Sequence, residues 1–367
     1  MAEVLKAAGY ATAHIGKWHL GGRNGMRPED QGFDHSLYME NGLYQPVGSP
    51  EVVNARQDFD PIDRTLWAFM RYAASFDGGE KFAPEGYLTD YYTAQAVRVI
   101  EANRHRPFFL YLAHWAPHTP LQASRADYEA LDHIGDHRLR VYAAMVRALD
   151  RGVGRVLQTL RDTGLEDNTL VIFTSDNGGA GYVGLRDINH PYRGWKITMF
   201  EGGVHVPFAM RWPGAIPAGG VFREPVSHMD VMATAAAAAG APLPSDRTID
   251  GVDLLPYLRG ERPAAPHETL FWRQGYYQAV LSRGWKLIVS GRPDRVWLFD
   301  LGSDPLEQVD LAATHPEKVV ALRALLDRHN AGQAAPAWPS IIQVPVPIDK
   351  TLAEPVEPDD LYTYWPN

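Results

Sequence analysis

Pro107-Phe108-Phe109-Leu110-Tyr111-Leu112-Ala113 decides how the rest of this chain is read. The run after the proline does not alternate between apolar and polar residues, so it fits a strand covered on both faces, as in a parallel sheet. Just upstream, residues 91–103 read as a helix with Ala94, Val97 and Ile100-Glu101 marking one face. Downstream the same succession returns. Val141, Ala144, Met145, Ala148, Leu149, Gly152, Val153, Val156, Leu157 and Leu160 recur at helical spacing, and Gly164 suits the position after a helix end. Thr169-Leu170-Val171-Ile172-Phe173-Thr174 is then a second apolar strand. Helix, short turn and apolar strand, repeated, predict an α/β fold: a mostly parallel sheet sandwiched by helices. Residues 206–212 and the Ala-rich helix over 230–239 continue that pattern.

Working outward, residues 2–8 read as a helix ending near Gly9, and residues 10–15 as a strand leading into a loop. Residues 22–90 are rich in Gly, Pro, Asp and aromatics without a clear period, and read as long loops over one face. The character changes after about residue 263. Residues 269–272, 277–282, 285–289 and 296–298 are short strands of a smaller C-terminal antiparallel sheet, followed by a helix over 316–330. Residues 331–367 hold seven prolines and end in Tyr362-Thr363-Tyr364-Trp365, an extended tail laid on the surface through its aromatics. The expected organisation is an α/β domain over 1–262, the antiparallel sheet and helix over 263–330, and a Pro-rich tail over 331–367.

The chain has 367 residues, 45% hydrophobic and 22% charged, enough apolar material for a large core. A formal charge of -9, with no basic run, gives no reason to expect nucleic acid as partner. No stretch reaches the 18 or so apolar residues of a spanning helix, so no membrane span is expected. The first residues carry no apolar signal core, which leaves the compartment open. Zero cysteines exclude disulfides and thiolate metal sites.

Chemistry collects where these strands end. Asp176-Asn177 follows the second apolar strand, and ligands of open α/β sheets gather outside strand carboxyl ends. Adjacent Asp and Asn supply hard oxygen donors of the kind Ca2+ or Mg2+ prefers, although Asn177-Gly178 is equally a turn signal. Lys17 and His19 flank Trp18 after a strand-like run, where residues two apart point the same way; a solvated loop anchored by Trp18 is the alternative. His114 and His118 follow residues 108–113, with His118 held in Pro117-His118-Thr119-Pro120. Lys196, after Arg193-Gly194-Trp195, reads either as a surface lysine or as a site cation.

Several blocks, in order, resemble one family. Glu3-Val4-Leu5-Lys6, Gly9-Tyr10-Ala11-Thr12 and Gly16-Lys17-Trp18-His19-Leu20-Gly21 look like the second signature of the type I sulfatases, the formylglycine-dependent branch of the alkaline phosphatase superfamily. Pro117-His118-Thr119-Pro120, Phe173-Thr174-Ser175-Asp176-Asn177-Gly178-Gly179, Gly194-Trp195-Lys196, Glu201-Gly202-Gly203-Val204-His205-Val206-Pro207 and Trp212-Pro213-Gly214 match further blocks. Asp250-Gly251-Val252-Asp253-Leu254-Leu255-Pro256 and Leu298-Phe299-Asp300-Leu301 with Asp304-Pro305 and Glu307 match later ones. The resemblance runs from residue 3 to about 330. It implies a hydrolase of sulfate esters, aryl or carbohydrate, with Ca2+ and a formylglycine as its equipment. Asp176 and Asn177 would be half of the metal site. Lys17 would hold the nucleophile's hydroxyl, and His19 would assist release of sulfate. His118 and Lys196 would bind the sulfate and the leaving oxygen, with His118 as proton donor. Trp18, Trp67, Trp115 and Tyr192 are of a type that stacks on a sugar or aryl ring. A non-catalytic protein that binds sulfated ligands, and a phosphoesterase or phosphonate hydrolase of the same superfamily, are the rival expectations.

The sequence also departs from the family. The formylglycine arises from Cys or Ser in a Cys/Ser-x-Pro-x-Arg motif upstream of the Gly-Lys-Trp-His block, and neither Ser49-Pro50 nor Ser124-Arg125 fits it. No Asp-Asp pair precedes Lys17, and Asp359-Asp360 lies in the tail. The expectation is an N-terminally truncated chain, without its first strand and nucleophile segment and incomplete for catalysis.

Overall fold

The helix α1 (Ala2–Ala7) and the strand β1 (Ala11–Gly16) open the chain as their residues predict, with Gly9 reversing the backbone between them at φ +87°. The computed structural model describes residues 1–341 and 343–366. The chain folds as two units, one built from Met1–Val171 and Met210–Pro266, the other from Ile172–Ala209 and His267–Asn367.

In the first unit, residues 22–90 are not long loops. They carry β2 (His35–Met39), β3 (Val52–Ala55), α2 (Pro61–Phe69), β4 (Ala74–Phe76) and β5 (Lys81–Phe82). Each strand is too short to print a period on the sequence. The helix is instead marked by its cap: Asp60 accepts from the N–H of Ile62 at 2.9 Å, and Pro61 stands at its first position. Next come α3 (Leu88–Ala102), three residues ahead of the expected start, and β6 (Phe108–Ala113). The sheet order is β5-β4-β2-β1-β6. β1 runs parallel to both neighbours, Ala11 opposite Phe108 through Gly16 opposite Ala113 on one side, and Ala13 opposite His35 on the other. β4 and β5 extend the sheet antiparallel beyond β2. Of the two apolar runs only Phe108–Ala113 joins this sheet, as its edge strand β6, parallel to β1; it is half-buried rather than covered on both faces, with Tyr111 exposed.

β7 (Leu121–Ser124) pairs with β3, and α4 (Arg125–Glu129) leads to the long helix α5 (His137–Asp162). Val141, Ala144, Met145 and Ala148 of α5 are buried. A side chain at Gly152 would run into Thr93 of α3, so the glycine sets how closely the two helices approach. Asp127 is buried and accepts from Arg147 and Arg151, with Ser124 Oγ at 2.6 Å.

β8 (Val171–Thr174), α6 (Glu201–Val204) and β9 (Phe208–Arg211) follow. β8 and β9 pair with each other in a two-stranded sheet and do not join the five-stranded one, a correction to the expected continuation. An apolar run does not say which strand it pairs with, and β8 is not buried as its run suggests: its second half, with Phe173, is exposed. Back in the first unit are α7 (Met229–Ala238) and α8 (Leu255–Leu258).

The second unit is built on β10 (Thr269–Gln274), β11 (Tyr277–Ser282), β12 (Trp285–Gly291) and β13 (Asp294–Asp300), an antiparallel meander. One face packs Val280, Leu287 and Leu298 on Leu322 and Leu326 of α9 (Pro316–Ala331). The other face packs Tyr277, Ala279, Ile288, Trp297 and Phe299 on Met199, Phe200 and Ile348. The Pro-rich tail includes a hairpin, β14 (Gln343–Pro347) with β15 (Tyr362–Pro366). Its aromatics divide in role: the Tyr364 ring lies 4.1 Å from the Arg292 guanidinium, whereas Trp338 is 78% exposed. Among the described residues, no helix is long and apolar enough to cross a membrane.

Candidate active site

Because Gly16 and Ala113 are register partners, the loops that leave β1 and β6 start side by side at the carboxyl ends of two parallel strands. Gly16 sits at φ +109°, and a Cβ there would collide with the carbonyl oxygen of Ala113. The backbones therefore approach closely, and the Lys17 N–H donates to Ala113 O at 2.8 Å. Lys17 Nζ lies 5.2 Å from the centre of the Trp115 ring, and the His118 imidazole stacks on the same residue at 3.9 Å. Trp115 is itself held, its indole N–H donating to Gly42 O at 2.8 Å. Tyr44 Oη donates to His118 O at 2.8 Å. His118 Nδ1 lies 2.8 Å from Thr119 O. A carbonyl only accepts, so Nδ1 carries the proton.

Lys17 and His19 do not lie on a strand, because β1 stops at Gly16. His19 is exposed on the loop beyond, and Trp18 anchors that loop by donating from Nε1 to Met26 O at 2.8 Å. Two other histidines lie inside the fold. His14 donates from Nε2 to Lys17 O at 3.0 Å, and burial lowers its pKa. His114, one residue past β6, has neither ring nitrogen hydrogen-bonded among the described residues, and burial pushes its pKa down to about 4. The sequence placed His114 beside His118 but held no sign that both its ring nitrogens would be shielded from solvent.

In the second unit, the chain leaves β8 into the turn that carries Asp176 and Asn177. Ser175 Oγ donates to Asn177 O and Asn177 Nδ2 to Gly178 O, both at 2.9 Å. The Gly178 N–H donates to Gly203 O at 3.0 Å, and the Lys196 N–H to Gly179 O at 3.0 Å. Asn189 ties the same turn twice, accepting from Gly179 N at 2.7 Å and donating to Gly179 O at 2.8 Å. Lys196 Nζ donates to Tyr182 Oη at 3.2 Å. Burial lowers the Lys196 pKa, and the negative charge of Asp176 works against that. The structure thus brings Lys17 and His118 together in one unit, and Asp176, Asn177 and Lys196 together in the other.

Asp176 and Asn177 offer hard oxygen donors, but Ca2+ takes six to eight. Among the described residues no group of three or more His, Asp or Glu side chains is disposed to hold a metal. The pair does not by itself make a calcium site.

The sulfatase family model matches residues 1–241, and the model for the C-terminal part of N-sulphoglucosamine sulphohydrolase matches residues 193–328. The chain belongs to the sulfatase family. This sulfatase-family chain is similar to N-acetylgalactosamine-6-sulfatase of Sus scrofa, at 40% identity over 269 residues that make up 71% of this chain and 49% of that protein. With the Homo sapiens N-acetylgalactosamine-6-sulfatase it shares 33% identity over 92% of its own length and 69% of that protein's. The crystal structure of Ps i-CgsB in complex with k-i-k-neocarrahexaose is similar at a TM-score of 0.79 and 29% identity, covering 92% of this chain and 75% of that one. The sulfatase-family chain spans about half the length of the pig relative.

Proposed function

We propose that this chain serves the hydrolysis of sulfate esters, with a carbohydrate sulfate as substrate class. One observation carries the reading: an ammonium and an imidazole, Lys17 and His118, lie against the same indole where two register-matched parallel strands end. Such a pair suits an oxyanion on an ester. In R–O–SO3− the bond from sulfur to the alcohol oxygen breaks, charge builds on that oxygen, and a proton must reach it. His118, oriented through Nδ1, would deliver that proton from Nε2. Lys17 and Lys196 would neutralise the sulfuryl oxygens, and His19 would assist release of sulfate. Asp176 and Asn177 are proposed as two of the oxygen ligands of a family calcium ion. The sugar follows from the relatives, one an N-acetylgalactosamine-6-sulfatase and one bound to an oligosaccharide. The family's formylglycine has no matching motif in this sequence, so no bond-forming step is assigned to these residues. The rival reading is a protein that binds sulfated sugars without cleaving them.

The test pairs an assay with a titration. Aryl sulfate, aryl phosphate and aryl phosphonate ester are offered in parallel, and binding of N-acetylgalactosamine 6-sulfate is followed by calorimetry. Turnover of the sulfate ester above the other two supports the first reading; saturable binding without turnover selects the second. Faster cleavage of phosphate or phosphonate would replace both with a phosphoesterase. In either sulfate reading Lys196→Ala is expected to weaken binding about 10- to 100-fold, the worth of a charge-assisted hydrogen bond of about 1.5–3 kcal/mol. Unchanged affinity would remove Lys196 from the site.

A further inference from the structure

Lys286 stands on β12 in the middle of an apolar sheet face, on the same side as Ile288, and its side chain is fully buried. Its ammonium lies 2.6 Å from Glu201 Oε1 and 2.9 Å from Glu307 Oε1. Glu307 is buried too, in the left-handed region at φ +56°. The Glu201 N–H donates to Glu307 Oε2 at 2.6 Å, and the other Glu201 oxygen accepts from His205 Nδ1 at 2.8 Å. Burial opposes charge on Glu201, yet Lys286 and then His205 hold its carboxyl down at about 2. Burial likewise disfavours the Lys286 ammonium, and the two carboxylates keep its pKa above the ordinary value.

What these charges hold is the segment from Arg193 to Gly203. At its start, Arg193 donates to Glu307 O at 3.0 Å and, bidentate, to Asp349 at 2.7 and 2.8 Å. At its end stands Glu201 itself. Midway, the Met199 N–H donates to Tyr277 Oη at 2.9 Å. Lys196 rides on this segment, and the Asp176–Asn177 turn is bonded to it through Gly178 N to Gly203 O and Lys196 N to Gly179 O. An apolar contact such as Phe200 on Trp297 leaves sliding freedom, whereas a cation between two carboxylates of fixed backbone position has one good geometry.

We infer that Lys286, Glu201 and Glu307 form a buried ion triad that positions Lys196 and the Asp176–Asn177 turn. None of the three touches substrate in this scheme; they are positioning residues. The inference rests on the proposed function only for what the positioned groups do.

The test measures amide hydrogen exchange of the whole chain without ligand, so a protein inactive on every ester leaves its outcome intact. Lys286→Met strands two buried carboxylates, and Lys286→Arg restores the cation. The neutral Lys286→Met/Glu201→Gln/Glu307→Gln removes all three charges while keeping volume. Glu201→Gln alone keeps Lys286 paired with Glu307, and so remains folded if the others do not. In Glu201→Gln and in the neutral triple, amides of 176–179 and 193–205 are expected to exchange at least about tenfold faster than in the parent, while those of α9 keep the parental rate. Lys286→Arg is expected to return the two segments toward parental protection relative to Lys286→Met. Exchange that quickens evenly through the unit, or stays parental at 176–179 and 193–205, would overturn the inference, since a triad serving stability alone acts on the unit as a whole.

Discussion

Between pH 6.5 and pH 4 the protein is expected to lose on the order of 3 kcal/mol of stability through His114 alone, an effect that His114→Leu removes. Burial sets its folded pKa at about 4, against 6.5 for an ordinary imidazole. In that window the unfolded chain binds a proton that the folded chain refuses, so the unfolded state holds more protons and stability rises with pH. The contribution is complete above pH 6.5, falls as the pH drops, and levels off near 4. His14 adds to the slope in the same direction, because burial lowers its pKa as well. Glu201 and Asp34, each held at about 2, act lower down, as pH falls through the range between ordinary carboxylate values and 2. Denaturant midpoints at pH 7.5, 6 and 4.5, parent against His114→Leu, isolate the term. Leucine also removes two buried nitrogens that have no hydrogen-bond partner among the described residues, so the variant should at least match the parent at pH 7.5. Parallel pH curves for the two proteins would show that His114 is not held neutral.

What could be read from the sequence, and what could not, follows a physical division. β1 and α5 were legible because their apolar residues answer to burial, in α5 at helical spacing; β6 was legible as a strand from its apolar run, but that run lies half-buried at a sheet edge. The neighbourhood of Lys17 and His118 was implied only by the family resemblance; nothing in the residues themselves says that β1 and β6 are register partners. Residues 22–90 were misread as loops because β4 has three residues and β5 two, below the length at which alternation shows. Lys286 was invisible for another reason. Lysine reads as surface, and its burial depends on Glu201 and Glu307, 85 and 21 residues away by numbering. A signal did exist. Lys286 occupies an inward position of an alternating strand, with Ile288 and Ser290 on the same side, and a charge there calls for partners. Trp297 and Leu298 show the same alternation from β13, one to each face of the sheet.

Gly178→Ala is expected to cost about 3 kcal/mol or more, out of proportion to one methyl group on a turn. An added Cβ would meet the carbonyl oxygen of Gly202, and both partners are backbone. Neither can turn aside as a flexible side chain would. Gly202 is packed in turn against the carbonyl oxygens of Arg193 and Gly194, and Gly203 against those of Thr198 and Trp195, so the strain has no open direction. Relief would come from lifting the 176–179 turn, which breaks the bond from Gly178 N to Gly203 O and carries Asp176 and Asn177 away from Lys196. Gly164→Ala is the control. Its φ of +72° asks an L residue to adopt the left-handed region, but nothing lies within 4 Å of the added Cβ, so only the backbone term of about 1 kcal/mol remains. Thermal unfolding of the two variants beside the parent separates collision from conformational preference. Equal losses would mean that the backbones at Gly178 and Gly202 are not in close contact, and that the Asp176–Asn177 turn is held by Asn189 rather than by the glycine contact.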